Sequence, residues 1–231
     1  MTTTLQQKHH WGFIGMSGIG KSHWTKQLSQ IGFSTIDCDA EVIKEVSKQA
    51  QMPFSTLSEA GTWLQLPHQE DFESREALFM QCEKQVIEQL LDTNFSNNFD
   101  SNLDKNQQKR TENSRYIVDM GGSVIYTGDE VLAKLKNNLL LIFFDASEEV
   151  YEQMLTNYFA NPCPVIWKGQ FKQQEGQNIA DAFIESYANL INYRRKIYLE
   201  LADIVIPYKV HRQANWKAED FLAWIENKYE I

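Results

Sequence analysis

The eight residues "GMSGIGKS", 15–22, constrain this chain more than any other stretch. They match G-x-x-x-x-G-K-[ST] in full through Gly15, Gly20, Lys21 and Ser22. The apolar run "WGFIG" leads into them and "HWTKQLSQIGF" follows, so the pattern sits between an expected strand and an expected helix. A phosphate cradle needs that context. Glycines let the backbone wrap around phosphate oxygens, while amides and a helix N-terminus point inward. On this reading Gly15, Ser17, Gly18, Ile19, Gly20, Lys21, Ser22 and His23 bind a nucleotide. Lys21 reaches the β- and γ-phosphates as a catalytic cation, and the Ser22 hydroxyl ligates Mg²⁺. The bland alternative is a tight strand–helix turn with no ligand.

Four further apolar runs follow the first strand: "GFSTIDCD", "YIVDMGG", "LLLIFFDA" and "LADIVIPY". Helical spacing separates them. Trp24 and Leu28 share a face after the loop. Phe79, Val86 and Leu90 form one stripe of a helix expected over 74–91. "EEVYEQMLTNYF", the stretch carrying Ile179, Phe183, Leu190 and Ile191, and "AEDFLAWIENKY" read as three more helices. Strands alternating with helices predict an α/β fold: a parallel sheet of five strands in the order 2-3-1-4-5, with helices on both faces. The 231 residues suit one such domain with insertions. Residues 95–114, rich in Asn, Gln, Ser and charge, read as a solvated insertion. Residues 158–178, with two prolines and two glycines between helices, read as a lid.

The formal charge of −9, without a basic run, argues against nucleic acid as a partner. No stretch is apolar over the length of a membrane span. The N-terminus lacks a secretory pattern, and three cysteines without metal spacing read as free thiols in a cytoplasmic protein. His9 and His10 read as a solvated tail. A monomer is expected.

Three other places carry candidate chemistry. Asp37 and Asp39, two apart at the end of the second strand, would share a face if the chain is extended there. They could support a metal shell and accept a hydroxyl proton; helix capping by Asp39 is the competing explanation. "YIVDMGGSV" puts Asp119 at a strand end, where a carboxylate can assist Mg²⁺, with Gly121 and Gly122 as possible backbone donors to a substrate. A glycine turn with a locally bonded aspartate fits equally well. Arg194 either aims into the crevice or lies on a solvated helix face.

Taken together these residues resemble shikimate kinase, one of the nucleoside-monophosphate-kinase-like P-loop kinases. The loop, the D-x-D of Asp37 and Asp39, the helix around Phe72 and Glu76, the turn at Met120, Gly121, Gly122 and Ser123, and "LIFFDASEE" follow the family's order. The family's R-x-x-x-Y-x-x-x-A-D-I-V is matched by Arg194, Tyr198, Ala202, Asp203, Ile204 and Val205. The resemblance implies ATP-dependent phosphorylation of a hydroxyl on a small anionic ring acid, most simply shikimate, with ATP and Mg²⁺. Asp39 would bind the substrate hydroxyls and act as the base. Ser22, Asp37 and Asp119 would hold Mg²⁺. Arg194 would grip the substrate carboxylate, beside Gly121 and Gly122.

The chain also departs from that pattern. The family's substrate arginine follows the phenylalanine of F-R-x-x-E, where this chain has Glu73. Arg75 lies two positions on, about 200° around a helix. Residues 159–167 hold no basic side chain, and Lys168 and Lys172 are the nearest candidates for the family's lid arginines. These departures keep two other readings open. One is a nucleotide-binding regulatory protein that has lost catalysis. The other is a kinase for a different hydroxyl metabolite or nucleotide. The loop also fits gluconate kinase, but no substrate motif of that family follows the second strand.

Overall fold

The computed structural model describes residues 10–94 and 115–229; the insertion expected at 95–114 lies outside them. Five parallel strands form one sheet: β1 (Trp11–Ile14), β2 (Ser34–Asp37), β3 (Tyr116–Asp119), β4 (Leu140–Phe144) and β5 (Ile204–Ile206). Their order is β2-β3-β1-β4-β5, as the alternation predicts. Every residue of β1 and β4 is buried, because parallel strands between helical layers meet no solvent on either face. The edge strand β2 is only partly covered.

The crossovers are α1 (Lys21–Ser29), then α2 (Cys38–Ala50), α3 (Leu57–Leu64) and α4 (Phe72–Asn94), then α5 (Asp129–Asn138), then α6 (Tyr151–Ala160) and α7 (Ile179–Leu201). After β5 come the short α8 (Tyr208–His211) and α9 (Ala218–Tyr229). α4 begins two residues earlier than its apolar stripe suggests, and α3 and α5 are additional helices. A capping box starts α3: the Thr56 side chain accepts from the Glu59 amide and Glu59 returns the bond. His10 is not a solvated tail residue. Its carbonyl accepts from the Leu140 amide and its ring packs 5.0 Å from that of Tyr116, which continues the start of the sheet. Among the described residues no helix is long and apolar enough to cross a membrane.

One aromatic stack sets the position of α1. The Trp24 ring lies 4.0 Å from that of Phe221 in α9, nearly parallel, and its indole N–H donates to the His211 carbonyl at 2.9 Å. His211 is buried, and its Nε2 lies 3.0 Å from the Asp145 carbonyl. Burial lowers its pKa to about 4, so the folded protein keeps the ring neutral. The unfolded chain takes up a proton near pH 6.5, so this contribution is complete above that pH and is lost as pH falls towards 4. The loss amounts to roughly 3 kcal/mol. We expect thermal unfolding temperature to fall across this window, and His211→Gln to flatten the fall. An equal fall in the variant would show that another group is responsible.

Candidate active site

The phosphate loop joins β1 to α1. Gly15 has φ 139°, and a Cβ there would lie 2.8 Å from the Phe144 carbonyl, so the turn admits only glycine. Gly20 caps α1 without a side-chain hydrogen bond, and the first turn of α1 holds no acid. The helix therefore presents unpaired amides and the positive end of its dipole, the arrangement that takes an anion. By contrast the Asp37 and Asn178 side chains cap α2 and α7. Lys21 is buried, and its ammonium donates to the Gly15 carbonyl at 2.9 Å and the Met16 carbonyl at 3.1 Å. Two of its three protons are thus held on the loop.

Sheet register gathers the acids. Asp37 and Asp119 are direct partners at the carboxyl ends of β2 and β3. Burial pushes the Asp119 pKa up, and Lys21 and Ser22 both draw it back down. Asp37 and Asp39 do not share an extended stretch, because the strand ends at Asp37 and α2 begins at Cys38. Asp37, not Asp39, is the helix cap, accepting from the Ala40 amide at 3.0 Å. That leaves Asp39 in the first helical turn, lining the cavity beside Lys21. Burial raises its carboxyl to about 6, against the pull of Lys21.

A further acid belongs to this group. Glu83 of α4 is buried beside the Gly121 turn and has an Oε2 with no partner. Burial raises it to about 7, and Asp39 adds to the rise. A Cβ on Gly121 would sit 2.7 Å from both Asp39 Oδ1 and Glu83 Oε1, so only glycine lets the two carboxylates approach this turn. Glu83 lies on the same stripe as Phe79, Val86 and Leu90. A charged residue among apolar ones at helical spacing was the available signal.

Arg194 does not lie on a solvated face. It is 2% exposed and donates to the Gly122 carbonyl at 2.9 Å and to the Ile166 carbonyl. Tyr198 donates to the same Gly122 oxygen. Asp203 accepts from the Leu141 amide at 2.9 Å, fixing β5 to β4. The R-x-x-x-Y-x-x-x-A-D pattern thus has a scaffolding role here. The segment expected as a lid begins inside α6, and Val165, Ile166 and Trp167 are buried. Glu76 Oε1 accepts from the amides of Trp167 and Lys168, at 2.5 and 3.0 Å. Arg75 is occupied by Asp71 and the Trp63 carbonyl, and Glu73 is exposed.

A cavity of about 620 Å³ opens in front of these groups. Ser17, Gly18, Gly20, Lys21, Ser22 and His23 form one wall. Asp39, α3, the end of α6, residues 161–163 and Tyr187 form the others. Gly121, Gly122, Arg194, Asp37 and Asp119 are not part of the lining.

The fold is shikimate kinase-like. The solved shikimate kinase from Acinetobacter baumannii, in complex with shikimate, matches with a TM-score of 0.54 at 16% identity, covering 96% of this chain and 93% of that one. The shikimate kinase from Bacteroides thetaiotaomicron matches with a TM-score of 0.57 at 14% identity, covering 96% and 98%. No protein-family model matches the chain, and no curated protein matches it in sequence. At these identities the likeness is one of fold, and the chemistry rests on the chain's own residues.

Hard oxygen donors suit Mg²⁺, and Ser22 and Asp119 are such a pair, with Asp37 beside them. Among the described residues no group of three or more His, Cys, Asp or Glu side chains could hold a metal unaided. A shell shared with nucleotide phosphates is the usual habit of Mg²⁺.

Proposed function

We propose that this protein is an ATP-dependent kinase that moves the γ-phosphoryl group to a hydroxyl of a small molecule. The carrying observation is convergence. An uncapped helix N-terminus, a buried lysine, a serine–aspartate pair and an acid with a raised pKa all meet at one cavity. In this reading residues 15–23 cradle the nucleotide phosphates. Lys21 turns its ammonium from the loop carbonyls to the phosphoryl oxygens and offsets their charge. Ser22 and Asp119, with Asp37, hold Mg²⁺, which when bound neutralises charge on the β- and γ-phosphates. Asp39 accepts the proton of the attacking hydroxyl. With a pKa near 6 it is mostly ionised at neutral pH yet more basic than an ordinary aspartate. Such sites work mainly by alignment and charge neutralisation.

Shikimate is the acceptor that the fold suggests first; Gly121, Gly122 and Arg194, the contacts the resemblance implies for it, do not line the cavity. A monomer in the cytoplasm belongs to the same reading; the three free cysteines fit a reducing compartment. One observation favours a second reading, a nucleotide-binding protein without catalysis. Among the described residues no arginine lines the acceptor side of the cavity, and Arg212, which reaches the phosphate loop, donates to the Gly18 carbonyl at 3.2 Å. ADP release over a panel of hydroxyl acceptors, against the rate without acceptor, separates the two. Stimulation by any acceptor supports the kinase. Nucleotide binding with no stimulation by any of them supports the second reading.

A further inference from the structure

The acceptor side of the cavity has a definite chemistry. Asp39, Ser58, Asn157 and Asn161 give it carboxylate, hydroxyl and amide groups, and Tyr158 and Tyr187 give it aromatic surface. The cationic groups among the described lining residues lie on the phosphate wall. Lys21 is held by the Gly15 and Met16 carbonyls, and His23 packs its ring against Trp24. Lys168 and Lys172 are not part of the lining.

Arg194 is buried and outside the cavity lining, so a carboxylate could reach it only if the segment over it moved. Its guanidinium is engaged by the Gly122 and Ile166 carbonyls, and Ile166 and Trp167 are completely buried. Glu76 fixes the next two amides of the same segment. Residues 166–168 are thus clamped from α4 by an acid and from α7 by a base. The chain's own Gly122 and Ile166 carbonyls occupy both Nη atoms of Arg194. Uncovering the arginine breaks three hydrogen bonds to charged side chains and exposes buried Ile166 and Trp167. A carboxylate left in the cavity would instead face Asp39 after giving up its hydration, with Lys21, the cation beside Asp39, committed to the nucleotide phosphates in the reading above.

We infer that the acceptor is an uncharged hydroxyl compound with an apolar face, which sits between Asp39 and the rings of Tyr158 and Tyr187, and not an anionic ring acid. This rests on the phosphotransfer reading above and narrows its substrate class. Asp39 meets the hydroxyl, the two asparagines offer amides to its neighbours, and the rings cover the C–H face.

Matched pairs test it: hydroxylated ring acids and their methyl esters, with shikimate and methyl shikimate as the first pair, alongside neutral cyclic polyols. The full chain is assayed with MgATP by ADP release. Thermal shift with Mg²⁺ and a non-hydrolysable ATP analogue gives a second readout. The neutral members should show a kcat/KM at least about tenfold above that of the acids, and should raise the unfolding temperature where the acids do not. Preference for the acids overturns the inference and leaves phosphotransfer standing. Neutral compounds that bind without releasing ADP support the acceptor class and overturn phosphotransfer. Failure of every compound in both assays overturns both.

Discussion

Asp39→Asn should lower acceptor-stimulated turnover by about 10²- to 10⁴-fold, the range over which a positioned base contributes. Nucleotide affinity should hold or rise, because Asp39→Asn removes a negative charge beside Lys21. The unfolding temperature should hold or rise. Burial penalises the charge on Asp39, so a neutral side chain of the same shape removes a cost that the fold bears for function. The measurement is a single-acceptor kinetic series beside a thermal melt. Turnover within a few-fold of the parent would remove Asp39 from the role of base. Loss of stability together with activity would mean that its carboxylate is structural.

Arg194→Met should show the opposite pattern. It strips a charged donor from the Gly122 and Ile166 carbonyls, and hydrogen bonds to charged groups contribute about 1.5–3 kcal/mol each. Tyr198 still serves Gly122, and removing a buried charge returns part of the loss. A net loss of about 3 kcal/mol is expected, or roughly 6–12 °C in a chain of this size. Nucleotide binding should persist at temperatures where the variant is folded. An arginine that grips a substrate carboxylate would behave otherwise: KM for acidic acceptors would rise steeply with little change in stability. The two measurements, made on one variant, decide between clamp and substrate contact.

The parts of the fold that were legible in the sequence are those whose cause is local. The phosphate loop needs eight contiguous residues, and the strands are apolar runs buried on both faces, so pattern alone identifies them. Asp37 and Asp119 become neighbours through strand register, which follows once the strand order is known. Other residues take their meaning from distant partners. Arg194 looks like half of a solvated pair because its acceptors are backbone carbonyls 28 and 72 residues away, and carbonyls leave no mark in a sequence. Glu76 is similar, since its partners are amides more than ninety residues on. Glu83 could have been noticed as a carboxylate on an apolar stripe, but its closeness to Asp39 depends on the Gly121 turn. The capping box of α3 was in plain sight as Thr56 and Glu59.

The stack of Trp24 on Phe221 also bears on the order in which the protein can be made. The helix behind the phosphate loop leans on α9 and on the His211 carbonyl, which are supplied nearly two hundred residues later. A nascent chain that has emerged as far as β4 already carries every residue of the cradle, yet α1 lacks the support that holds its N-terminus in place. On the proposed function, competence to bind nucleotide is therefore expected late in synthesis, once Phe221 and the His211 carbonyl are in place, and not when the motif itself leaves the ribosome.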